Sequence, residues 1–428
     1  MIIQLIVIVA SAKLVGALFK YLGQPQVCGE IAAGLLLGPS FFGALWPRAQ
    51  QIIVNSSTNA QMTILSEVGL IFIMFLIGLE VNFGRLASST RAAFSISTTG
   101  ILLPFLLGIP LGRWIYSQMK LDVDKLAFTL FIAMTLSITA MPVLGRIMIE
   151  FNLARTRLGA LAITAAAIGD VVGWLLLALI SAVVAAQLHI GRILLLAAEV
   201  GLYVLAMIFI VRPMLIRWTR RSMLNSGGEI SPGVLAQLIV FLLASAAITS
   251  AIGIFSVFGA FVMGGILHDQ KAFAAAVNRR MSDFVMVFFL PVFFTFTGLR
   301  TDISSVQGKP VVIAGGLVIL VACIGKLGGC SIAARIHGFT WRESFSVGAM
   351  MNTRGLVELV VLNIGYDLGI IPKPVFFIFV VMAITTTYMT APLLRYFIHG
   401  TELQTDFEIS TFMKERAPVI REANSRSA

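Results

Sequence analysis

Asp170 is the residue whose type and position in this sequence point most directly to chemistry. It is the only charged side chain between Leu158 and Leu188, a run long enough to cross a bilayer, which takes roughly 20 apolar residues. Its offset from Gly159 places it about 16 Å along a helix, near the membrane midplane. A charge at that depth costs about 2.5–3.5 kcal/mol to insert. Its retention therefore indicates a function such as proton or cation binding.

Two other apolar segments, 125–148 and 342–366, also carry polar residues near their centres. These residues are Ser137, Thr139 and Pro142 in the first segment, and Asn352, Thr353, Arg354 and Glu358 in the second. Pro142 removes a backbone donor and clashes with the preceding turn, and Gly355 breaks the second polar stretch. We predict that both helices are interrupted, and interrupted helices in corresponding positions point to a transport site. The alternative is a proline kink and a buried polar cluster with no transport role.

Lys326 is a further charge inside an apolar segment, 309–334. A lysine there must pair, reach the interface with its long side chain, or lose its proton. We interpret Lys326 as the charge partner of the Asp170 site, with a side chain that snorkels to the inner end as the alternative. Arg354 and Glu358 are four residues apart and can form a structural ion pair that supports the interrupted helix.

Composition places these residues in a multi-pass, all-α membrane protein. The 428 residues are 58% hydrophobic and 12% charged, with a mean hydropathy of +0.96. We count thirteen apolar segments, among them 25–44 and 283–299, and predict about thirteen transmembrane helices. The scattered histidines and the three cysteines lack the spacing of a metal site or a disulfide framework. No catalytic, nucleotide-binding or haem pattern is present, so we expect no enzyme activity, no cofactor and no nucleic-acid partner.

A weak repeat divides the membrane domain, residues 1–400. Gly29 and Gly34 recur as Gly259 and Gly264 at an offset of 230 residues. The predicted parts are repeat one (1–190), a linker helix (191–230), repeat two (231–400) and a short cytoplasmic tail (401–428). Equivalent helices lie an odd number of segments apart, so the copies would be inverted, as in many transporters. Chance is the alternative, because glycine and leucine are common in membrane helices.

The positive charges predict the orientation of the chain. With the N-terminus outside, twenty of the 31 Lys and Arg residues fall on the cytoplasmic side and eight outside. Such a bias favours an external N-terminus and a cytoplasmic C-terminus. The net charge of +11 is thereby explained without nucleic acid.

Four ordered motifs resemble the monovalent cation:proton antiporter family, in particular its sodium/hydrogen and Kef-type potassium/proton exchanger branches. The motifs are GQPQVCGEIAAGLLLGPS (23–40), SITAMPVLGRIMIEFNL (137–153), ITAAAIGDVVGWLLLAL (163–179) and MNTRGLVELVVLNIGYDLGII (351–371). The resemblance covers essentially the whole chain. It implies an inverted-repeat fold with crossing broken helices, a homodimer in the cell (inner) membrane, and one domain that moves against another. The short tail resembles no nucleotide-binding domain.

The resemblance assigns roles to individual residues. Asp170 matches the essential ion- and proton-binding aspartate and would be the only ligand residue with a charge for the transported monovalent cation. Lys326 matches the lysine that faces it, while Ser137, Thr139 and the stretch 352–358 match the crossing. The sequence departs from the family at Gly169, where relatives carry a second acid or an asparagine. Lys326 therefore lacks the partner that it would have in relatives with two aspartates.

The expected function is secondary active transport that exchanges Na⁺, K⁺ or Li⁺ for protons at Asp170. Such exchange serves monovalent cation homeostasis and pH regulation. With one carboxylate, simple counting favours electroneutral exchange, unless Lys326 also releases a proton. Two alternatives stay open at this point, an uncoupled potassium pathway and a membrane regulator that has lost transport with the first acid.

Overall fold

The computed structural model describes most of the chain, and its regular secondary structure is entirely helical in that part. The described residues are 2–22, 24, 26–38, 41–46, 48, 56–80, 91–154, 156–185, 190–225, 229–301, 308–401 and 403–409. The predicted cytoplasmic tail therefore lies mostly outside the described residues.

Helices before residue 190 include two short ones that follow each other closely, α6 and α7. The helices of this half are α1 (Ile2–Tyr21), α2 (Gln26–Leu37), α3 (Phe42–Leu45), α4 (Ser56–Glu80), α5 (Arg91–Met119), α6 (Lys125–Ser137), α7 (Met141–Glu150) and α8 (Arg157–Ala185).

Helices after residue 190 include three continuous pairs that are joined by π-helical turns. The helices are α9 (Ile190–Ala206), α10 (Arg212–Asn225), α11 (Pro232–Ile252), α12 (Ser256–Gly265), α13 (Lys271–Phe284), α14 (Leu290–Leu299), α15 (Lys309–Cys323), α16 (Gly329–Ile336), α17 (Trp341–Met351), α18 (Leu356–Asp367), α19 (Lys373–Ile398) and α20 (Leu403–Glu408). The π turns are Met207–Val211, Val285–Phe289 and Ile324–Gly328.

Within the described residues, nine helical stretches are long and apolar enough to cross a membrane. The bent pair of α17 and α18 makes a tenth candidate span. Shorter apolar helices lie at Cys28–Leu37, Lys125–Ser137 and Ser256–Gly265. The chain is therefore a multi-pass membrane protein, while the total of thirteen spans stays a prediction.

Two sequence-based boundaries differ from the observed helices. The segment predicted at 25–44 is helical only from Gln26 to Leu37, before a separate short helix. The segment predicted at 283–299 begins earlier, because α13 and α14 form one helical stretch from Lys271 to Leu299. Polar residues in α13, including Arg279 and Arg280, lower its mean hydropathy. A search for apolar segments therefore misses the first part of this helix.

The chain forms two compact units that interleave along the sequence. The first unit contains Met1–Ala12, Gly34–Ala87 and Trp174–Leu299. The second unit contains Lys13–Ala33, Ser88–Gly173 and Arg300–Ala428. The predicted repeats are consecutive stretches of sequence, whereas these units are groups of contacting residues. The division into two repeats therefore stays a prediction.

The helices of the first unit pack closely at glycine. A Cβ on Gly34 in α2 would lie 2.7 Å from Thr295 Cα in α14, where Gly298 in turn packs on the backbone of Gly34. A Cβ on Gly78 in α4 would lie 3.1 Å from Gly264 Cα in α12. Small residues that let backbones approach are typical of helix packing in membranes.

Buried charge distinguishes the second unit. Among the described residues, every charged side chain in the buried class belongs to it, and each of these side chains has 0% exposure: Glu30, Asp170, Lys326, Arg354 and Glu358. Lys13 contacts Glu30 at 3.2 Å, near the start of the unit. The other four charges lie on α8, the π turn between α15 and α16, and the second interrupted helix.

Candidate functional site

The first predicted interruption lies between α6 and α7. After α6 ends at Ser137, Ile138 is extended (φ −73°, ψ 141°), and α7 begins at Met141. Within the gap, the Ala140 backbone N–H donates to the Thr353 carbonyl at 3.2 Å. This hydrogen bond joins the first interruption to the second, so the two broken helices meet at their breaks.

The second interruption lies between α17 and α18, whose axes differ by 42°. Gly355 has φ 142° and ψ −110°, a conformation that glycine adopts at no steric cost. A Cβ there would also lie 3.1 Å from Val143 Cγ2 in α7. The predicted break at this glycine is confirmed, and glycine is required at this position by both backbone conformation and space.

Arg354 stabilises the crossing from inside the second interruption. Its guanidinium donates to the carbonyls of Thr135 at 2.9 Å and Leu136 at 2.7 Å. These carbonyls are in the last turn of α6, where a cation is favoured by the helix dipole. Glu358 lies 3.5 Å from Arg354 Nη1, in the first turn of α18, where an anion is favoured. The predicted pair therefore exists, and it also complements two half-helix dipoles.

Thr387 in α19 holds the backbone of the same arginine. Its hydroxyl accepts from the Arg354 N–H at 2.9 Å and donates to the Arg354 carbonyl at 2.8 Å. The sequence analysis missed this residue. The available signal was the polar run ITTTYMT inside an otherwise apolar helix of 26 residues.

Asp170 lies in α8 with 0% exposure. One carboxylate oxygen, Oδ1, faces the Met141 backbone N–H at 3.5 Å, at the N-terminus of α7, where negative charge is favoured. The other oxygen, Oδ2, has no hydrogen-bond partner among the described residues. The carboxylate is thus oriented by a helix end yet retains an unused acceptor.

Lys326 lies on the π turn between α15 and α16 and also has 0% exposure. Its ammonium donates to the Thr139 hydroxyl in the first interruption. It interacts electrostatically with Asp170, Arg354 and Glu358, but no ion pair within 4.0 Å joins it to Asp170, although both side chains are described. The lysine therefore contacts the first interruption at Thr139 and acts on Asp170 through its charge, without a direct ion pair.

The remaining predicted site residues differ in whether their polar side-chain atoms have hydrogen-bond partners. Ser137 donates within its own helix to the Ala133 carbonyl at 2.8 Å, and Thr353 donates to the Met350 carbonyl at 2.9 Å. Asn352 Oδ1 is buried without a partner in the described chain. Pro142 is the second residue of α7, and its side chain lies outside the described part.

The site combines two positive and two negative buried side chains, Lys326 and Arg354 against Asp170 and Glu358. Arg354 and Glu358 contact each other, which leaves Asp170 to balance Lys326. No group of three or more His, Cys, Asp or Glu residues in the described chain is placed to hold a metal ion as a resident cofactor. The arrangement can hold one exchangeable positive charge at Asp170.

Comparison with known sequences gives one family across nearly the whole chain. The family model "Sodium/hydrogen exchanger, transmembrane" matches residues 6–396. The Na(+)/H(+) antiporter NhaS4 of Synechocystis sp. is 36% identical over 394 residues, which are 91% of this chain and 95% of the relative. Cation/H(+) antiporter 18 of Arabidopsis thaliana is also 36% identical over 394 residues, but the match spans 48% of the plant protein.

A solved structure supports the fold. The sodium proton antiporter MjNhaP1 from Methanocaldococcus jannaschii aligns with a TM-score of 0.63 at 17% identity, over 95% of this chain and 98% of that chain. At this identity the similarity concerns the fold alone. It confirms the predicted all-helical antiporter architecture.

Proposed function

The chain belongs to the sodium/hydrogen exchanger family, which comprises membrane transporters and not enzymes, and on this premise we propose that it exchanges a monovalent cation for protons at Asp170. One observation carries the proposal. The Asp170 carboxylate is fully buried beside two interrupted helices and keeps one oxygen without a hydrogen-bond partner among the described residues. A buried charge that the fold leaves incompletely satisfied is expected to bind a counter-charge.

The proposed cycle uses Asp170 for one positive charge at a time. The carboxylate binds either a proton or a partly dehydrated cation, because both compete for the same oxygen. Thr139 and Ser137 supply neutral oxygens beside it, and the N-terminus of α7 stabilises the carboxylate when both ligands have left. Alternating access to the two sides of the membrane then couples the release of one ligand to the uptake of the other.

The buried charges favour a 1:1 stoichiometry. Arg354 donates to two carbonyls and pairs with Glu358, so we assign this pair a structural role in supporting the broken helices. Asp170 is then the remaining buried carboxylate beside Lys326 in the described crossing. Replacing a bound proton by a monovalent cation leaves the net charge of the site unchanged, so we propose electroneutral exchange.

The transported ion belongs to the alkali cations, Na⁺, K⁺ or Li⁺. The relatives' names differ in the ion: NhaS4 is named for Na⁺, whereas K(+)/H(+) antiporter 1 of Saccharomyces cerevisiae, 30% identical over 403 residues, is named for K⁺. We therefore propose the class of monovalent cations as substrate and leave the choice of ion to experiment.

The proposed architecture includes two inverted repeats, 1–190 and 231–400. Reciprocal glycine contacts support this proposal: Gly34 packs against α14 at Gly298, and Gly78 packs against α12 at Gly264. The repeat would map Gly34 onto Gly264 at the offset of 230 residues. It would map Gly78, in the Gly-Leu pair near the end of α4, onto Gly298, in the Gly-Leu pair at the end of α14. It therefore maps one contact onto the other. We further propose a homodimer in the cell membrane, with the N-terminus outside and the C-terminus in the cytoplasm.

Reconstitution in liposomes with a trapped pH-reporting dye tests the function. Addition of Na⁺, K⁺ or Li⁺ outside is expected to release protons from the lumen, with equal rates whether or not a membrane potential is imposed. A potassium current without proton movement would favour the uncoupled pathway. If the wild type were inactive and Gly169→Asp active, the transport-inactive regulator would be favoured.

A further inference from the structure

The space beside Gly169 is bordered by hydroxyl oxygens. A Cβ at Gly169 would lie 3.6 Å from Ser97 Oγ in α5 and 4.0 Å from Thr139 Oγ1. Apart from the chain neighbours Ile168 and Asp170 and the nearby backbone of α8, no other described atom lies within 4 Å of that point. The glycine that stands where relatives carry an acid or an asparagine therefore leaves space near two hydroxyl oxygens, one residue before Asp170 in the chain.

Ser97 differs from most buried hydroxyl residues of the second unit. Thr135 and Ser137 donate to carbonyls one turn earlier in their own helices, at 2.7 Å and 2.8 Å. Ser97 is 1% exposed, yet its hydroxyl has no hydrogen-bond partner among the described residues. A buried hydroxyl without a partner has lost its hydrogen bonds to water without replacement, and a ligand at this position would remove that cost.

We propose that Ser97 is a further ligand residue for the transported cation, with its hydroxyl oxygen directed into the space that Gly169 leaves beside Asp170. This inference rests on the proposed exchange at Asp170 and extends its ligand set to α5. Neutral hydroxyl oxygens suit hard monovalent cations, which take oxygen ligands. Ser97 and Thr139 then border the bound ion on the side where other family members place a second side chain.

The same geometry makes residue 169 a determinant of ion size. A methyl group at this position meets both hydroxyl oxygens at ordinary contact distance, so Gly169→Ala is tolerated by the fold but reduces the space for a ligand. The larger K⁺ loses more affinity than the smaller Li⁺ when that space shrinks.

Cation-dependent thermal stability of the purified full chain in detergent tests the proposal without requiring transport. A ligand that binds the folded state raises its stability as its concentration passes the dissociation constant. The unfolding midpoint is measured against NaCl, KCl and LiCl at constant ionic strength, with choline chloride as the balancing salt. Ser97→Ala should need about threefold to tenfold more cation for half of the maximal shift. Ser97→Thr, which keeps the hydroxyl, should stay closer to the wild type.

Ser344→Ala is the matched control, because Ser344 is also fully buried with no hydroxyl partner among the described residues but lies in α17, near its first turn. It should titrate like the wild type. A wild-type titration for Ser97→Ala, or an equal change for Ser344→Ala, would overturn the role of Ser97. If cations no longer raise the unfolding midpoint of Asp170→Asn, the proposed site at Asp170 is supported separately from Ser97. If cations still raise the midpoint of Asp170→Asn while Ser97→Ala needs more cation than the wild type, the result counts against Asp170 but not against Ser97. A wild-type chain that none of the cations stabilises would contradict both.

Discussion

The two units differ in the side chains that they bury between their helices. Both units bring backbones together at glycines, as at Gly78 and Gly264 in the first and at Gly29 and Gly16 in the second, but the described buried polar residues of the first unit are all uncharged. The second unit buries charged side chains and the ends of interrupted helices. Close backbone contact can hold helices without polar cost, whereas buried charges are expensive unless they are paired. The buried charge is therefore the feature that sets the second unit apart, and it lies where we propose that the ion binds.

Within the described part of the second unit, some buried charges form an ion pair and others do not. Arg354 contacts two carbonyls and Glu358, and Thr387 holds its backbone. Asp170 has one long contact to a backbone N–H and one unused oxygen. The Arg354–Glu358 pair is held together by opposite charge, although neither Glu358 oxygen has a hydrogen-bond partner among the described residues. The charge that we assign to transport, Asp170, has no ion pair within 4.0 Å among the described residues and keeps one oxygen without a hydrogen bond.

Arg354→Met should give the largest loss of stability. Removal of one partner of a buried pair typically costs about 3–5 kcal/mol, and here it also leaves the Thr135 and Leu136 carbonyls without their donors. The measurement is the midpoint of thermal unfolding in detergent. The double variant Arg354→Met with Glu358→Gln should recover part of the loss, and equal stability of the two variants would contradict the pairing.

Gly264→Ala should be the most damaging conservative change in the first unit. Its Cβ would lie 2.8 Å from the Leu79 backbone nitrogen, and backbone cannot move aside cheaply, so overpacking should cost about 1–3 kcal/mol. Gly201→Ala in α9 is the control, because nothing lies within 4 Å of a Cβ there. Similar unfolding midpoints for the two variants would remove the proposed role of glycine contacts.

Lys326→Arg tests whether the buried lysine is a fixed charge or a proton carrier. Arginine keeps its proton at all accessible pH values, and its guanidinium can donate to Thr139. If Lys326 is a fixed partner, electroneutral exchange should persist with a rate within about tenfold of the wild type, the equivalent of about 1.4 kcal/mol. Loss of exchange in a variant that still binds the cation would show that the lysine releases a proton in each cycle.

Asp269→Asn should have the smallest effect. Partial burial raises the pKa of Asp269, but hydrogen bonds from Arg212 and Gln270 and the nearby positive charge outweigh it and leave the pKa below its usual value. The nitrogen–oxygen distance between Arg212 and Asp269 is 2.9 Å, and the two side chains are 38% and 34% exposed. Solvent screening should therefore limit the contribution of this pair to stability to at most about 0.5 kcal/mol. That contribution is present at neutral pH and is lost as the pH falls through the lowered pKa. Unfolding midpoints of the wild type and Asp269→Asn should therefore converge below about pH 4.

The sequence was sufficient to predict the helical class, both interruptions and the pairing of Arg354 with Glu358, because apolar length, Pro142 and Gly355 are local signals. It could not predict contacts between distant segments. The hydrogen bonds between the Thr387 hydroxyl and the Arg354 backbone join residues 33 positions apart. The contact of Lys326 with Thr139 joins residues 187 positions apart. Ser97 escaped notice because a serine in a membrane helix usually bonds within its own helix, and only the fold shows that this one does not.

The central claim is that Asp170 is the site of exchange, and Asp170→Asn tests it most directly. The amide has nearly the same shape but cannot take up a proton or balance a cation, so the variant should fold and unfold near or above the wild-type midpoint. In liposomes with a pH-reporting dye, we predict that it shows no proton movement in response to Na⁺, K⁺ or Li⁺. Cation-driven proton movement at the wild-type rate in this variant would contradict the account.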